Sequence, residues 1–381
     1  MTSPKIIELP QTDDYRSLFL NNTPLLDVRA PVEFNQGAFP FTQNFPLIND
    51  EERETIGIQY KNLGQDEAIK LGHTLVQGEI KSERVGKWDN FIQQHPQGAL
   101  YCFRGGMRSK ISQQWIYEKT GIIYPRVKGG YKAMRRFLID ELEKSIQNIA
   151  PVILGGRTGI GKTLLLKRIK QQIDLEKIFH HRGSVFGKHV TLQPTQIDIE
   201  NILSIEFLKL LDKGYTTVVI EDEGANIGSR RLPESLIKKM KQSPLVLLEA
   251  GIEERVNITF QEYIVEALAE HEDFYGIEEG FKCWAKQLND AIDKIERRLG
   301  GLRYKELKIL LNHAIQQHLA GSPESHKDWI KQILVDYYDP MYDFQLSKSQ
   351  ERVVFKGTQK EVHEYISETY HINQALHLVG R

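Results

Sequence analysis

Pro151-Val152-Ile153-Leu154-Gly155-Gly156-Arg157-Thr158-Gly159-Ile160-Gly161-Lys162-Thr163 reads as a buried strand running into a glycine-rich loop. Residues 156–163 match G-x-x-x-x-G-K-[ST] in full, and Leu164, Leu165, Leu166 and Ile169 behind them predict a helix. Each part of the pattern has a chemical reason. The glycines let backbone N–H groups wrap a phosphate, Lys162 neutralises its charge, and the Thr163 hydroxyl reaches a magnesium ion. Gly156, Gly159, Gly161, Lys162 and Thr163 are therefore the expected phosphate-binding set. The motif establishes a di- or triphosphate site; it does not establish nucleotide hydrolysis.

Outward from this loop, Thr216-Thr217-Val218-Val219-Ile220 and Leu245-Val246-Leu247-Leu248 have the continuous apolar character of strands in a parallel sheet covered by helices. The first runs into Glu221-Asp222-Glu223, and Asp222 is the expected magnesium-side acid, ahead of Glu221 and Glu223. Beyond about residue 253 the pattern is mainly helical, with Arg352-Val353-Val354-Phe355 returning as a strand.

Upstream lies a second loop of a different kind. Gly98-Ala99-Leu100-Tyr101-Cys102 reads as a strand, and Lys110–Lys119 as a helix with Ile111, Trp115 and Ile116 on one side. Between them stand Cys102, Arg104, Gly105, Gly106, Arg108 and Ser109. A strand-to-helix loop of this composition turns N–H groups and cationic side chains toward one point, which favours the thiolate, the nucleophilic form of cysteine. Cys102 is the expected nucleophile, and Arg104, Gly105, Gly106, Arg108 and Ser109 the expected anion cradle. Sulfur-group transfer and phosphate-ester hydrolysis both use such a loop, and the C-x5-R spacing of Cys102 and Arg108 suits the second. The loop alone leaves both open. Cys283, in Phe281-Lys282-Cys283-Trp284, has no such neighbours and is expected to be a packing residue. Pro24–Val28, Gly121–Tyr124 and Arg126-Val127 supply further strand-like material, and Gly129-Gly130 opens a helix.

Size and charge agree with two soluble α/β domains. The chain has 381 residues, 40% of them hydrophobic and 27% charged, with 50 Lys+Arg against 51 Asp+Glu and a net charge of −1. Such a length exceeds one ordinary core, and the polar positions near 140–150 mark the expected boundary. No apolar run reaches the length of a membrane span, and residues 1–14 lack a secretory pattern, so a cytoplasmic protein without membrane partner is expected. Two cysteines make neither a disulfide framework nor a zinc site, so no structural metal is expected. Basic clusters at Arg126–Arg136, Arg230–Lys241 and Arg297–Lys305 would suit a polyanion, although any one of them also suits a solvated helix face.

Leu26-Asp27-Val28-Arg29-Ala30-Pro31-Val32-Glu33-Phe34, the loop at Cys102, and Val127-Lys128-Gly129-Gly130 resemble the opening, active-site and closing motifs of rhodanese domains. This chain departs from common rhodaneses by one extra residue between Cys102 and Arg108, which gives room for a phosphate-bearing donor. The order of a rhodanese-like domain (1–140) and a P-loop domain with a helical C-terminal extension (141–381) resembles the bacterial tRNA 2-selenouridine synthases over nearly the whole chain. His181-Arg182-Gly183-Ser184, Glu221-Asp222-Glu223 and Tyr337-Tyr338-Asp339-Pro340-Met341-Tyr342 add to that resemblance. It implies a transferase acting on tRNA with 2-thiouridine at the wobble position: S-geranylation from geranyl diphosphate, then selenation from selenophosphate through a Cys102 perselenide. It also implies no tightly bound cofactor apart from a possible magnesium ion, with the P-loop expected to hold the diphosphate of the geranyl donor. Two other classes stay open on the residues alone: a sulfurtransferase or cysteine phosphatase fused to a P-loop NTPase, and a non-catalytic RNA-binding protein.

Overall fold

The computed structural model describes residues 9–372. The chain divides into two compact units, one formed by Met1–Ser145 with Thr195–Lys209 and the other by Ile146–Pro194 with Leu210–Arg381.

In the first unit, β1 (Gln11–Thr12), β2 (Leu25–Asp27), β3 (Thr42–Asn44), β4 (Ala99–Tyr101) and β5 (Arg126–Val127) form one parallel sheet in the order β1-β5-β4-β2-β3. β4 is thus central. Every residue of β2 and β4 is buried, as strands covered on both faces must be. Successive side chains point to opposite faces. Leu26, Leu100 and Cys102 join the core of Trp88, Trp115 and Ile116, whereas Leu25, Ala99 and Tyr101 join Phe19, Met134, Leu138, Ile205 and Leu208. The expected strand at Gly121–Tyr124 does not form. Gly121 instead ends the Met107–Thr120 helix in the left-handed region (φ 69°), and pairing resumes only at Arg126, after Pro125. The segment Thr195–Lys209, although drawn from the middle of the sequence, packs in this first unit. Ala38 N–H donates to Asp198 Oδ1 at 2.7 Å, Asn201 Nδ2 donates to the Ala38 carbonyl at 2.7 Å, and Ser204 Oγ donates to the Leu138 carbonyl at 2.7 Å.

In the second unit, β6 (Ala150–Gly155), β7 (Gln172–Ile173), β8 (Thr217–Glu221), β11 (Leu245–Leu248) and β12 (Val353–Gly357) form a second parallel sheet, ordered β12-β11-β6-β8-β7. β9 (Asn226–Ile227) and β10 (Arg230–Arg231) pair as a small hairpin apart from it. Here β6 is central. Beyond Ile252 the chain is helical up to β12, around a core that includes Trp284, Leu311, Trp329 and Ile330. Two stretches of this region, Gln261–Glu266 and Leu334–Tyr338, are π-helical. Such turns re-aim side chains and recur at functional sites.

Candidate functional site

Each glycine-bearing loop follows the central strand of its own parallel sheet, Cys102 after β4 and Gly156 after β6. The carboxyl ends of such strands are where ligands bind in open α/β sheets.

Cys102 is 2% exposed, with Sγ 3.2 Å from Ser109 Oγ, which donates to the Gly106 carbonyl at 3.1 Å. The loop turns at Gly105 (φ 63°) into the Met107–Thr120 helix. Its back is braced by the Val127–Gly130 motif. Tyr131 N–H donates to the Cys102 carbonyl and Lys132 N–H to the Phe103 carbonyl, both at 2.9 Å, and Arg126 Nη1 donates to the Gly105 carbonyl at 2.8 Å. A Cβ on Gly130 would lie 2.2 Å from the Cys102 carbonyl oxygen, so only glycine allows this approach. Arg108 forms a forked ion pair with Glu33. Burial pulls the Arg108 pKa down, but the bond and charge of Glu33 outweigh it and leave the group more strongly cationic, with Cys102 among the nearby groups that favour its charge. Arg104 is exposed.

The Leu26–Phe34 motif has a structural explanation. Arg29, 1% exposed, is paired with buried Asp27, donates to the Glu33 and Gly37 carbonyls at 3.1 and 2.9 Å, and lies 3.9 Å from the Tyr131 ring centre. Glu33 Oε2 in turn accepts the Ala30 N–H at 3.1 Å. One buried cation thereby fixes the turn that presents Glu33 to Arg108.

A cavity of 780 Å³ adjoins this loop, bounded by Arg104, Met107 and Arg108 on one side and by the Asp50–Leu63 and Gln65–Leu75 helices on the other.

In the second unit, Gly156, Gly159 and Gly161 all have positive φ, at 150°, 73° and 82°. A Cβ at Gly159 would meet Thr259 Oγ1 at 2.2 Å, so this turn is closed to larger residues. Lys162 Nζ donates to the Gly156 carbonyl at 3.4 Å. The Thr163 hydroxyl lies 3.1 Å from Glu221 Oε1 and 3.2 Å from Glu176 Oε2. Glu221 is the acid that meets Thr163, one residue before the expected Asp222. Glu221 is the last residue of β8 and points to the face that carries the loop's helix; Asp222, one residue on, takes the other face. A cavity of 270 Å³ opens in front of the loop, and Asp222 lines it with Lys162, Thr163, Glu176, Glu223 and Glu262.

This cavity is densely acidic. Burial, followed by the neighbouring carboxylates, holds Glu221 well above the usual range, and burial pushes Glu223 up to about 8 and Glu262 to about 7. Burial works against charge on Lys162, but Glu223, Glu176, Glu221 and Asp222 outweigh it and raise its pKa. Thr163, Glu176 and Glu221 form an all-oxygen donor set, the kind that magnesium prefers.

The sequence reading missed Glu176, Arg255 and Glu262. Arg255 is 2% exposed; its Nε donates to the Thr158 carbonyl at 3.1 Å, and its Nη1 and Nη2 grip Asp339 at 3.0 and 2.7 Å. Arg157 reaches Asp343 at 2.7 Å. These clamps seat Tyr338, Met341 and Tyr342 over the loop, so the Tyr337–Tyr342 motif is one wall of the cavity. Arg182, Gly183 and Ser184 form another, with Ser184 accepting a hydrogen bond from the Tyr263 hydroxyl at 2.7 Å. The two π-helical stretches supply Glu262, Tyr263 and Tyr338 to the same cavity.

Other expectations fall differently. Cys283 sits half-buried on the Ile277–Leu299 helix, 3.9 Å from Glu279, rather than in the core. In the first basic cluster, Arg126 is spent on the Gly105 carbonyl, Arg135 on Glu200 and Asn201, and Arg136 on Asp140. Among the described residues, His180, His189 and Glu270 are grouped closely enough to share a metal ion, but Arg182 already engages Glu270 at 2.8 Å. No helix among them is long and apolar enough to cross a membrane.

Residues 149–373 match the family described as "tRNA 2-selenouridine synthase AAA domain". A protein named tRNA 2-selenouridine synthase from Sulfurovum sp. is 47% identical over 362 residues, covering 95% of this chain and 99% of that one. Proteins of the same name from Marinobacter nauticus (50% identical; 93% of this chain and 97% of that one) and Hahella chejuensis (49%; 93% and 94%) are similar to it throughout.

Proposed function

Since the chain belongs to the tRNA 2-selenouridine synthase family, we propose that it converts wobble 2-thiouridine to 2-selenouridine in two steps, S-geranylation from geranyl diphosphate and selenation from selenophosphate. The observation that carries this reading is the pair of anion cradles, each on the central strand of a separate sheet, one with a cysteine at its base and one without. Two phosphate-bearing donors and one RNA acceptor account for both. The first unit is read as rhodanese-like, on its motifs and on the bracing of the Cys102 loop by Val127–Gly130.

In the first step, Lys162 and the loop N–H groups hold the diphosphate of the geranyl donor and stabilise it as it departs. Thr163, Glu221 and Glu176 would hold a magnesium ion, which supplies positive charge against that leaving group. Tyr263, Tyr338, Met341 and Tyr342 offer the aromatic and apolar wall of this cavity. Alkylation turns the sulfur on C2 into a better leaving group.

In the second step, Cys102 acts on selenophosphate, and the atom balance separates two routes. Attack on selenium gives the Cys102 perselenide but leaves phosphorus as phosphite; selenium placed on C2 then remains bonded to sulfur until a thiol reduces it. Attack on phosphorus gives phosphocysteine and hydrogen selenide. The selenide displaces geranylthiol from C2, and water releases phosphate from Cys102, with no outside reductant. The C-x5-R loop, with Arg108 fixed by Glu33, favours the phosphorus route. The test is single-turnover reaction of the full chain with geranylated 2-thiouridine RNA and selenophosphate, followed by phosphorus NMR and nucleoside mass spectrometry. Phosphate with selenouridine supports attack on phosphorus, and phosphite supports the perselenide. Absence of selenouridine overturns the reading.

A further inference from the structure

The 780 Å³ cavity beside the Cys102 loop is unlike the rest of the anion-binding machinery. Its walls are apolar: Ile56 and Tyr60 from the Asp50–Leu63 helix, Ile69 from the next helix, and Met107, Ile111 and Trp115 from the helix that begins at the cysteine loop. The last three are spaced i, i+4, i+8, so they make one stripe running away from the loop. Its rim near the loop carries Arg53, Arg104 and Arg108 with one acid, Glu33, paired to Arg53 and Arg108, and so keeps an excess of positive charge. The Asp50–Leu63 helix has no buried residue at all, although it turns apolar side chains toward this space. Ile56 is already partly buried against the core, and an apolar occupant of the cavity would extend that burial to Tyr60.

We propose that this cavity receives the geranyl chain of the S-geranylated uridine during selenation, laid along the Met107–Ile111–Trp115 stripe with its thioether end at the Cys102 loop. The proposal rests on the two-step reading above and adds the place where the intermediate is held. Three features select this occupant. The volume suits a chain of this size, since small-molecule pockets span roughly 300–1,000 Å³. The lining is apolar where the hydrocarbon lies and cationic at the rim, which matches a terpenyl chain attached to a polyanionic RNA. The stripe starts on the loop that carries the nucleophile, so the chain's sulfur end and the reacting C2 are brought to Cys102 together. The 270 Å³ cavity of the second unit is smaller and is lined by four carboxylates, Glu176, Asp222, Glu223 and Glu262.

The cavity also accounts for substrate discrimination. A 2-thiouridine without the chain lacks both the leaving group and the anchor, so selenation waits for alkylation. The electron balance of the step is unchanged: the C2–Se bond forms, the C2–S bond breaks, and geranylthiol leaves with its chain still in the apolar space.

The test uses the full chain and bypasses the first step. RNA carrying S-methyl, five-carbon prenyl, geranyl or fifteen-carbon farnesyl 2-thiouridine is given with selenophosphate, and selenouridine formation is followed for the native chain, I69W and I56W. With the native chain, KM is expected to fall with chain length as far as geranyl. In the two variants, which fill the cavity, kcat/KM on the geranyl substrate is expected to fall by about 10–100-fold while the S-methyl substrate changes little. A native chain indifferent to chain length, or variants that lose both substrates equally, overturns the cavity assignment while leaving the two-step reading intact. A native chain that makes no selenouridine from geranylated RNA overturns both, and is distinguished by that result alone.

Discussion

Arg108 Nη2 lies 3.0 Å from Glu33 Oε1, so the charge six residues after Cys102 is held by a carboxylate from the turn after β2. The fork fixes a planar guanidinium, rather than a mobile point charge, beside the loop that would hold the donor's anionic group. Arg108→Lys keeps the charge and loses the fork. Selenation of geranylated RNA is expected to fall about 100-fold in kcat, the scale of removing one preorganised donor, while geranylation proceeds normally. Quenched-flow nucleoside analysis of the two steps separates them.

Cys102→Ala removes the nucleophile and leaves its cradle. With 2-thiouridine tRNA, geranyl diphosphate and selenophosphate, this variant is expected to accumulate the geranylated nucleoside. Selenouridine at the native rate would show that Cys102 is not the acting group. Ser109→Ala, which removes the partner 3.2 Å from Sγ, is expected to slow the same step by about five-fold, the scale of losing one hydrogen bond of about 1 kcal/mol.

Thr163 sits against Glu221 and Glu176, while Asp222 lines the cavity in front of the loop. Glu221→Gln is expected to raise the magnesium concentration for half-maximal geranylation at least ~10-fold, whereas Asp222→Asn leaves it nearly unchanged. Lys162→Ala is expected to block geranylation and to spare selenation of pre-geranylated RNA. Titration of magnesium in a geranylation assay reads the first pair, and the two separated steps read the third.

The acidic cavity makes stability depend on pH. Burial pushes Glu223 from an ordinary 4.5 up to about 8 and Glu262 to about 7. The unfolded chain releases these protons near its ordinary carboxylate pKa, and the folded chain releases them only near 7 and 8. Between those limits the folded state holds more protons, so stability falls as pH rises and is lowest once pH passes about 8. Calorimetry without magnesium is expected to show Tm decreasing from about pH 5.5 to 8, and Glu223→Gln to flatten the slope. Magnesium, which favours ionised carboxylates, is expected to raise Tm more at pH 8 than at pH 6.

Arg29 is the buried cation that holds the Asp27–Gly37 turn, which presents Glu33 to Arg108. Arg29→Met strands Asp27, which is fully buried, and is expected to cost about 3–5 kcal/mol, read as an early transition in thermal melts.

Much of this architecture was legible because its signals are local. The run Pro151–Thr163 contains strand, loop and helix in one stretch, and the structure forms all three there. Cys102, Gly105 and Ser109 could be grouped because they lie within eight residues of one another. What escaped the sequence were partners brought in from afar. Glu33 meets Arg108 across 75 residues, Arg255 reaches Asp339 across 84, and Glu176 approaches Thr163 from a helix with no motif of its own. The contact between Glu221 and Thr163 escaped for another reason: consecutive acids differ only in which face of the sheet each takes, and that phase is set by the register of β8 with β6. The 780 Å³ cavity was invisible because its apolar residues are the ordinary stuff of helix faces, and only their assembly distinguishes lining from core.

Ile205 and Leu208 share a core with Phe19, Leu25 and Tyr101, so the first unit is complete only when the chain has already gone through the strands and loop of the second as far as Pro194. A fragment stopped at Ser145 would leave the groove at Gly37-Ala38 and Leu138 without its closing helix. Ribosomal synthesis must therefore deliver more than half the polypeptide before the cysteine-bearing half can finish folding. No single cut divides the chain into two pieces that each hold a whole unit, because the connectivity leaves the first unit at Ser145 and returns to it at Thr195.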